Sequence, residues 1–600
     1  MGELVGIDPD GARKLLDAMK KAREGLNGEL GEPLKYGLRV AQSDGTAEAH
    51  ASPKRYGDYA ALLDKWIKDL DRRIAIITNM PKADLGQDGN KVTATLPTPE
   101  EAAGNGKNAA DALTKAWDEY QKSIGLSDYA QKRQAFLDAL KKYGAQAYDP
   151  EFATAFLKQF GADKLHTMIE LFMDTGRPDN RYLVDGNYQF WKDTLGPLAT
   201  MIGVSDKAGM LPEDFRKELL KPGNDIGTLS VFLRMAPQSE RMARDLFNRA
   251  WDHRYTPDGK LAMTQIPEII SHHPKFGQEI LANDEYRKWL LDGSNWTTYG
   301  DYGKSLGPLF RTTLAPGAGD PALQQKIWPE IIRKSNDESF RGLINRSPDV
   351  AQALAENFRP YLLWAADKQA REFGKDMNLP FKPLPNGTAT LDNGLSLDDI
   401  KNFMGMVNTD DKARDILLAE AKKLMDNGQG MRMITPDVVK KGELENLDLQ
   451  AALAQDQALL ALMLAGVQRA SIDGDNRRAQ TADALKGLVV GYLTMPAGPA
   501  GPVIDVGTSG MTTPAFKWLT DKYFDAVGDK EYDPEEFYND FKKAYREQTL
   551  EYLRYQAGQL PVGERPSEDK LQAMANQLYD HFRAQGGEAM LKEFWKESKK

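Results

Sequence analysis

The feature that most constrains the fold is a long apolar region late in an otherwise polar chain. Residues 485–525 are its most apolar and glycine-rich part, and the segment 449–467 shortly before is nearly as apolar. A soluble protein removes such segments from water. We therefore expect the two segments to form a central helical hairpin around which the other helices pack.

Neither segment has the pattern of a membrane span. The apolar run 486–493 is far shorter than the roughly 20 residues that a bilayer requires, and prolines then interrupt it. Segment 449–467 is longer but carries Asp456 and three glutamines. A buried helix of a soluble protein is the better interpretation. Insertion of the 449–525 region into membranes is the alternative.

Composition excludes several classes of function. The chain is 41% hydrophobic and 28% charged, which suits a folded protein of several domains. Its net charge of -10 disfavours nucleic acid as the main partner, because phosphate binding requires a basic face. The absence of cysteine excludes disulfides, thiolate metal sites and cysteine nucleophiles. Residues 1–8 lack the pattern of a secretory signal, so we expect a cytoplasmic protein or export by another route.

The first 127 residues predict a helical bundle. Helices are expected over 8–30, 56–80 and 100–124, each with apolar residues at helical spacing. The segment 81–99 is rich in Gly, Asp, Asn and Thr and is expected to be a loop.

The second of these helices carries an apolar stripe that includes Trp66 and is wider than one neighbouring helix needs. We expect it to pack inside the chain, against residues 8–30 and 100–124, and to bury Trp66. Trp66→Ala should then lower the melting temperature. Self-association is assigned to the charged helices at the C-terminal end.

One pattern recurs between residues 128 and 377. A proline or aspartate turn opens a helix with aromatic or aliphatic residues, and a second helix follows closely. Such a helix pair leaves one apolar face that neighbouring pairs have to cover. Because the spacing is irregular, a globular helical array is favoured over a regular solenoid. The copies begin at Asp149-Pro150, His273-Pro274 and Ser347-Pro348, with a looser copy at Leu229.

The predicted fold class is all-α, because no alternation typical of strands stands out. An N-terminal helical hairpin or bundle is followed by an irregular multi-helix array around the central apolar hairpin. The predicted domains are 1–127 (bundle), 128–377 (hairpin array), 378–394 (a linker that has room for a tiny strand hairpin), 395–527 (helical region with the apolar core) and 528–600 (charged amphipathic helices).

No set of residues has catalytic or metal-binding spacing. The six histidines include no His-x-x-x-His or His-Glu-x-x-His arrangement, which argues against a metal site. The segment Gly104-Asn105-Gly106-Lys107-Asn108 shares glycines and a lysine with phosphate-binding loops. It lacks the first glycine and the hydroxyl residue of that motif, so we predict no phosphate site there.

The remaining candidates have structural explanations. Residues 473–476 fit a helix-capping turn better than a calcium loop, and the glycines of 487–510 fit tight helix corners. Residues 507–511 follow no predicted strand, as a serine nucleophile motif would require. Asp410 and Asp411 fit a solvated turn. We accordingly predict no catalytic, cofactor-binding or metal-binding residue, and no cofactor.

Several segments resemble a known group of proteins. The helix with Leu63-Asp64-Lys65-Trp66-Ile67, which follows another helix, resembles the opening hairpin of actinobacterial WXG-type proteins associated with type VII secretion. The motifs Pro150-Glu151-Phe152, Pro274-Lys275-Phe276 and 295–300 are similar to the helical body of uncharacterised relatives of those proteins. Residues 495–523 resemble the pre-toxin segment of polymorphic toxins.

The chain departs from this pattern at two places. None of the ten tryptophans belongs to a Trp-x-Gly sequence, and the export signature Tyr-x-x-x-Glu occurs at Tyr532 to Glu536, far from the hairpin. Only about seventy residues follow the pre-toxin-like segment, with one histidine among them. The resemblance therefore implies a member without a toxin module.

The function implied by this resemblance is that of a non-enzymatic structural or interaction protein of the WXG-like, type VII secretion-associated kind. A protein partner or self-association is expected, with no nucleic acid and no small-molecule substrate; a membrane is the less favoured partner. The alternative is an exported effector or pore-forming protein that inserts the 449–525 region into membranes.

Overall fold

The structure of the chain is a computed structural model. It describes residues 3–27, 53–79, 86–88, 91–173, 184–296, 303–374, 384, 388–391, 394–428, 433–442, 444, 449, 452, 455–456, 458–459, 462–463, 466 and 534–584. The fold class is all-α, as predicted.

The chain divides into two compact units, Met1–His272 and His273–Lys600. The boundary between them falls inside the predicted array 128–377. The five-segment division drawn from the sequence stays a prediction. Each unit is therefore described on its own.

A small antiparallel sheet near the N-terminus corrects two predictions. Strands β1 (Glu3–Ile7), β2 (Gly86–Asp88) and β3 (Lys91–Leu96) pair in the order β1-β3-β2, with Ile7 opposite Val92. The segment 81–99 is thus not simply a loop, and strand-like alternation does occur. Val92, Thr93 and Thr95 are β-branched residues, which favour strands, and this run of six residues was too short to stand out beside the helices.

The N-terminal unit contains eleven labelled helices within its described residues. They are α1 (Pro9–Asn27), α2 (Pro53–Asn79), α3 (Pro99–Lys122), α4 (Tyr129–Lys141), α5 (Pro150–Phe160), α6 (Ala162–Met173), α7 (Val184–Lys207), α8 (Glu213–Leu219), α9 (Ile226–Leu233), α10 (Glu240–Asp252) and α11 (Pro257–Ile270), with a 3-10 helix at Gln146–Tyr148. The first three confirm the helices predicted for residues 8–30, 56–80 and 100–124.

The core of this unit lies around α9, whose residues are all buried. Helix α9 is packed against α7 and α11, while α3 packs closely against α5. The close approach of α3 and α5 requires Gly106, because a Cβ atom there would lie 2.3 Å from the carbonyl oxygen of Phe152. Helix α2 contacts α1, β3 and the 3-10 helix Gln146–Tyr148.

The C-terminal unit is also helical. Its helices are α12 (Pro274–Ala282), α13 (Asp284–Leu290), α14 (Leu306–Thr313), α15 (Pro321–Lys334), α16 (Glu338–Arg346), α17 (Pro348–Phe358), α18 (Leu362–Gly374), α19 (Leu397–Val407), α20 (Asp411–Gly428), α21 (Pro436–Lys441), α22 (Pro534–Gly558) and α23 (Glu568–Ala584), with 3-10 helices at Gly293–Trp296, Arg359–Tyr361 and Val562–Glu564. Trp328, Phe358, Tyr361 and Phe403 form an aromatic cluster in its core.

The predicted helix pairs are confirmed in both units. Helices α9 and α10 form the looser copy. The other three pairs, α5 with α6, α12 with α13 and α17 with α18, open at the predicted proline turn, and proline is the first residue of α5, α12 and α17. Proline occupies the first turn of these helices because its fixed φ suits that position and it has no N–H to leave unpaired. The side chain of Asp149 accepts a hydrogen bond from the backbone N–H of Glu151 and so caps α5.

Two further sequence repeats become visible once the helices are aligned. Leu-Gly-Pro-Leu occurs at Leu195 in α7 and at Leu306 in α14, and Pro-Glu-Ile-Ile occurs at Pro267 in α11 and at Pro329 in α15. In both copies of the second motif the glutamate pairs with a buried arginine, Arg234 with Glu268 at 3.5 Å and Arg287 with Glu330 at 3.1 Å. Each unit therefore contains one copy of the same packing motif.

The apolar segment 449–467 is buried at every described position except Gln455, which is partly exposed. Its described positions from 449 to 466 are helical, and Leu459, Leu462 and Met463 have no more than 1% of their surface exposed. Burial is confirmed for this half of the predicted hairpin. Residues 485–525, the other half, lie outside the described residues, as do most of the linker 378–394 and all of 473–476, 487–510 and 507–511.

The charged C-terminal helices pair with each other and lie on α21 of their own unit. Tyr545, Tyr579 and Phe582 form an aromatic cluster between α22 and α23. Lys440 of α21 forms an ion pair with Glu564 at 2.8 Å. These helices thus lie back on the body of the C-terminal unit. Their part in self-association stays a prediction.

Candidate functional site

A groove with a volume of about 790 Å³ runs along α2 in the N-terminal unit. Its other walls are the start of α3, the first turn of α5 and the end of α7. A volume of this size is typical of pockets that hold a drug-sized ligand or a short peptide segment. The described lining residues are Ala61, Asp64, Lys65, Ile67, Lys68, Asp69, Asp71, Arg72, Ala75, Pro99, Tyr148, Pro150, Glu151, Val204, Lys207, Ala208 and Met210.

A buried ion pair fixes α2 against α5 and so holds two walls of the groove. The guanidinium of Arg72 donates two hydrogen bonds to the carboxylate of Asp149, at 3.0 and 2.7 Å, and a third to the carbonyl of Pro97 at 2.8 Å. Both side chains are almost fully buried. Because Asp149 also caps α5, one carboxylate sets both the start of that helix and its distance from α2.

A second cavity, of about 430 Å³, has Asp149 in its lining. It lies between Ile76 of α2, Leu96 of β3 and Phe152 of α5. The Arg72–Asp149 pair contributes one residue to each cavity, Arg72 to the groove and Asp149 to the second cavity. The pair therefore belongs to the wall between them.

Three aspartates of α2 line the groove, and each is paired with a basic residue that is not among the described lining residues. Asp64 accepts from Arg23 at 2.6 and 3.0 Å, Asp69 from Arg73 at 2.7 Å, and Asp71 lies 3.7 Å from Lys20. The hydrogen bonds from Arg23 hold the pKa of Asp64 below its ordinary value. Basic residues outside the lining therefore offset these three negative charges.

The lysines of the groove differ from its aspartates in their ion pairs. Lys65, Lys68 and Lys207 form no ion pair within 4 Å to any residue in the part of the chain that the structure describes. Much of the surface of Lys207 is exposed to solvent, but the surrounding protein partly desolvates its ammonium group. This desolvation lowers the pKa of Lys207, and the more distant Asp71 offsets only part of the effect.

Glu151 is the remaining carboxylate of the lining. Partial burial raises its pKa, and the nearby carboxylate of Asp149 raises it further, while Arg72 acts in the opposite direction. A carboxyl with a raised pKa and an amine with a lowered pKa in one groove mark a place where charge is poorly solvated, and such places are enriched in functional sites. The described lining contains no histidine, serine or threonine.

The outer face of α2 corrects the prediction for Trp66. Trp66 is 55% exposed and Leu62, one turn before it, is 40% exposed. Helix α2 does pack against α1, but its buried face is carried mainly by its second half, with Ile74, Ile76 and Ile77. The apolar stripe is wider than one neighbour needs, and part of it stays uncovered. The expected loss of melting temperature in Trp66→Ala does not follow for an exposed side chain.

The other motifs weighed in the sequence have structural places. The segment from Gly104 to Asn108 lies within α3 and is not a loop, which supports the absence of a phosphate loop there. Asp410 accepts from the backbone N–H of Ala413 at 2.9 Å at the start of α20, and Asp411 pairs with Arg414 at 3.0 Å. Both aspartates thus stabilise a helix start.

Among the described histidines, His166 is buried on α6, where its Nε2 atom lies 3.4 Å from Glu170. Burial lowers the pKa of His166 in spite of that carboxylate. No group of three or more metal-ligating side chains with suitable geometry occurs in the described part of the chain. Similarly, none of the helices described combines the length and the hydropathy needed to cross a bilayer.

Comparison with known proteins adds no family. No family model, no curated protein and no solved structure matches this chain.

Proposed function

We propose that the protein is a non-enzymatic interaction protein of the WXG-like, type VII secretion-associated kind, and that its N-terminal hairpin of α1 and α2 binds a helix of a partner chain. The observation that carries this proposal is the exposure of Trp66 and Leu62 on one face of α2. Residues four apart lie on the same side of a helix, so the two side chains present one apolar surface.

Tryptophan on such a surface favours protein binding. Large aromatic side chains are enriched among the residues that contribute most to protein–protein affinity, because they bury a large area at a small cost in side-chain entropy. Scattered exposed leucines are common on any protein surface. Trp66 and Leu62 lie one turn apart on one helix, whereas Leu126 lies beside the exposed Ile124 in the turn after α3 and Leu171 is exposed on α6.

The proposal is tested by placing a photo-crosslinking amino acid at position 66 of the full chain, in the organism that makes the protein. Leu126, 61% exposed in the turn after α3, is the matched control position. We expect a discrete protein adduct from position 66 and none from position 126. Mass spectrometry of the adduct distinguishes a second copy from a different protein.

Two results contradict the proposal. One is an equal yield of adducts at positions 66 and 126, or no adduct at position 66. The other is reproducible turnover of nucleic acid, NAD or peptidoglycan by the purified chain. With the crosslinking amino acid moved to position 62, Trp66→Ala should abolish the adduct. It should change the free energy of unfolding by no more than about 0.5 kcal/mol, so that this loss reports binding and not folding.

A further inference from the structure

We propose that the groove along α2 binds an acidic peptide segment of a partner protein, whose carboxylates pair with Lys65, Lys68 and Lys207. This inference rests on the proposed function in one respect, which is that the molecule bound in the groove belongs to a protein. It concerns the face of α2 that lines the groove, whereas Trp66 and Leu62 are not part of the groove lining.

The first step is the charge of the groove. The formal charges of its described lining are balanced, with four acidic and four basic residues. Their ion pairs are not evenly distributed. Basic residues from outside the lining pair with the three aspartates, and Arg72 pairs with Asp149. Three ammonium groups line the groove beside Glu151 with no ion pair within 4 Å among the described residues. The more distant Asp64 and Asp71 act weakly on Lys68 and Lys207. The groove is therefore locally cationic on a protein whose net charge is -10.

The second step concerns Lys207. A lysine that is merely solvated keeps its ordinary pKa, because water stabilises the ammonium group. The pKa of Lys207 is lowered, since the walls of the groove exclude part of that water. A carboxylate bound beside it would replace the missing solvation with a charge-assisted hydrogen bond. Asp71 does not supply this bond, because it lies within ion-pair distance of Lys20, at 3.7 Å, and not of Lys207.

The third step is the shape of the groove. Its lining on α2 extends from Ala61 to Ala75, a length of about 21 Å at 1.5 Å per residue. A single inorganic anion needs no site of this length. Ile67, Val204 and Met210 lie among the charged residues of the lining, so the groove offers apolar contacts between its cationic positions. This alternation fits a peptide with spaced carboxylates and apolar side chains.

The same lining disfavours a nucleic acid. A polynucleotide carries a phosphate at every step and requires a continuous basic surface. Here the aspartates at positions 64, 69 and 71 are interspersed with the lysines along the groove. The lysines are therefore separate cationic positions and not a continuous basic surface. A peptide with separated acidic residues can avoid those carboxylates, and it is the occupant that we infer.

The experiment measures binding of fluorescently labelled peptides to the full chain by fluorescence anisotropy. The first probe is a peptide of alanine and leucine with glutamate at every third position, and its control has glutamine in place of glutamate. Inorganic phosphate and a labelled single-stranded oligonucleotide are the other probes. We expect saturable binding of the acidic peptide alone, which weakens as the salt concentration rises.

Lysine variants assign the binding to the groove. Lys207→Gln and the double variant Lys65→Gln/Lys68→Gln are each expected to weaken binding by about fivefold to tenfold. Lys107→Gln is the matched control, because Lys107 is an exposed lysine of α3 outside the described lining and should leave the affinity unchanged. The thermal midpoint of each variant verifies that it is folded.

The inference is overturned by equal binding of the acidic and the neutral peptide, by the absence of saturable binding, or by equal affinities of the Lys207→Gln and Lys107→Gln variants. Tighter binding of phosphate or of the oligonucleotide than of the acidic peptide would also overturn it. Crosslinking at position 66 reports on a different surface of α2. If the peptides do not bind as expected but position 66 forms a discrete adduct, the groove proposal is rejected and the proposed function is not.

Discussion

Gly104 and Gly106 show that its surroundings determine whether a glycine in a helix can be replaced. Both lie in α3, two positions apart, and in the sequence they belong to one glycine-rich segment. A Cβ atom at Gly104 would meet nothing within 4 Å, whereas one at Gly106 would lie 2.3 Å from a backbone carbonyl of α5. Gly106 is therefore required for the packing of two helices, and Gly104 is not.

Alanine substitutions should separate these two positions. Gly106→Ala is expected to reduce the free energy of unfolding by about 1–3 kcal/mol, because the backbones of α3 and α5 have to move apart. Gly104→Ala, the matched control, should increase it by about 0.5–1 kcal/mol, since alanine lowers the entropy of the unfolded chain. Urea unfolding measures both. An equal effect of the two substitutions would contradict the packing of α3 on α5.

Trp66 shows that helical spacing in the sequence does not predict whether a side chain is exposed. Helical spacing in the sequence predicts which residues share a face, and α2 confirms that spacing. It does not say how much of the face other elements cover. Ile74 and Ile77 are covered, while Trp66 and Leu62 are not. Exposure depends on where α1 and β3 lie, and that information is not local to the helix.

At the scale of the elements, Asp-Pro helix starts serve two purposes. Asp320 caps α15 by accepting from the backbone N–H of Ala322 at 2.8 Å. Asp149 caps α5 in the same way and in addition binds the guanidinium of Arg72. The sequence motif is the same at both sites, but only at Asp149 does the cap also carry a buried ion pair.

Removing the two caps should have unequal consequences. Asp320→Ala is expected to cost about 1 kcal/mol of stability, the usual value of an N-cap. Asp149→Ala should cost about 3–5 kcal/mol, because it leaves the buried guanidinium of Arg72 without its partner. Chemical denaturation of the full chain and of both variants provides the measurement. Equal losses in the two variants would show that the Arg72–Asp149 pair adds nothing beyond the cap.

Much of the element structure could be predicted from the sequence. Proline turns located the starts of α5, α12 and α17, because proline acts on the backbone locally. The strand β3 was missed, since its six residues gain their hydrogen bonds from β1, more than eighty positions earlier in the chain. The groove could not be predicted either. Its lysines stand out only when the ion pairs of the neighbouring aspartates are known. Two of those pairs, Asp64 with Arg23 and Asp71 with Lys20, join residues on different helices.

At the scale of the whole molecule, each unit contains a described histidine whose pKa is lowered by burial. These are His166 in the N-terminal unit and His581 in the C-terminal unit. The ordinary pKa of 6.5 applies to the unfolded chain. Near and below that pH the unfolded chain therefore binds protons that the folded chain does not, and folding is opposed.

Stability should accordingly be greatest above pH 6.5 and fall as the pH drops below that value towards the lowered pKa values. His166→Gln and His581→Gln should each reduce this loss, because glutamine does not titrate. Urea unfolding at pH 7.5 and at a pH about one unit below the ordinary histidine pKa compares the variants with the parent chain. Identical pH dependence in all three proteins would exclude a contribution from the two histidines.

Because the two compact units are contiguous in sequence, the ribosome completes the first before it begins the second. Translation adds about 5–20 residues per second, so the second unit takes on the order of tens of seconds to emerge. Domains of helical proteins fold in much less time than that. The N-terminal unit, with its groove formed, can therefore be folded on the nascent chain while the apolar region 485–525 is still untranslated. The most apolar part of the chain is then translated after the N-terminal unit has folded.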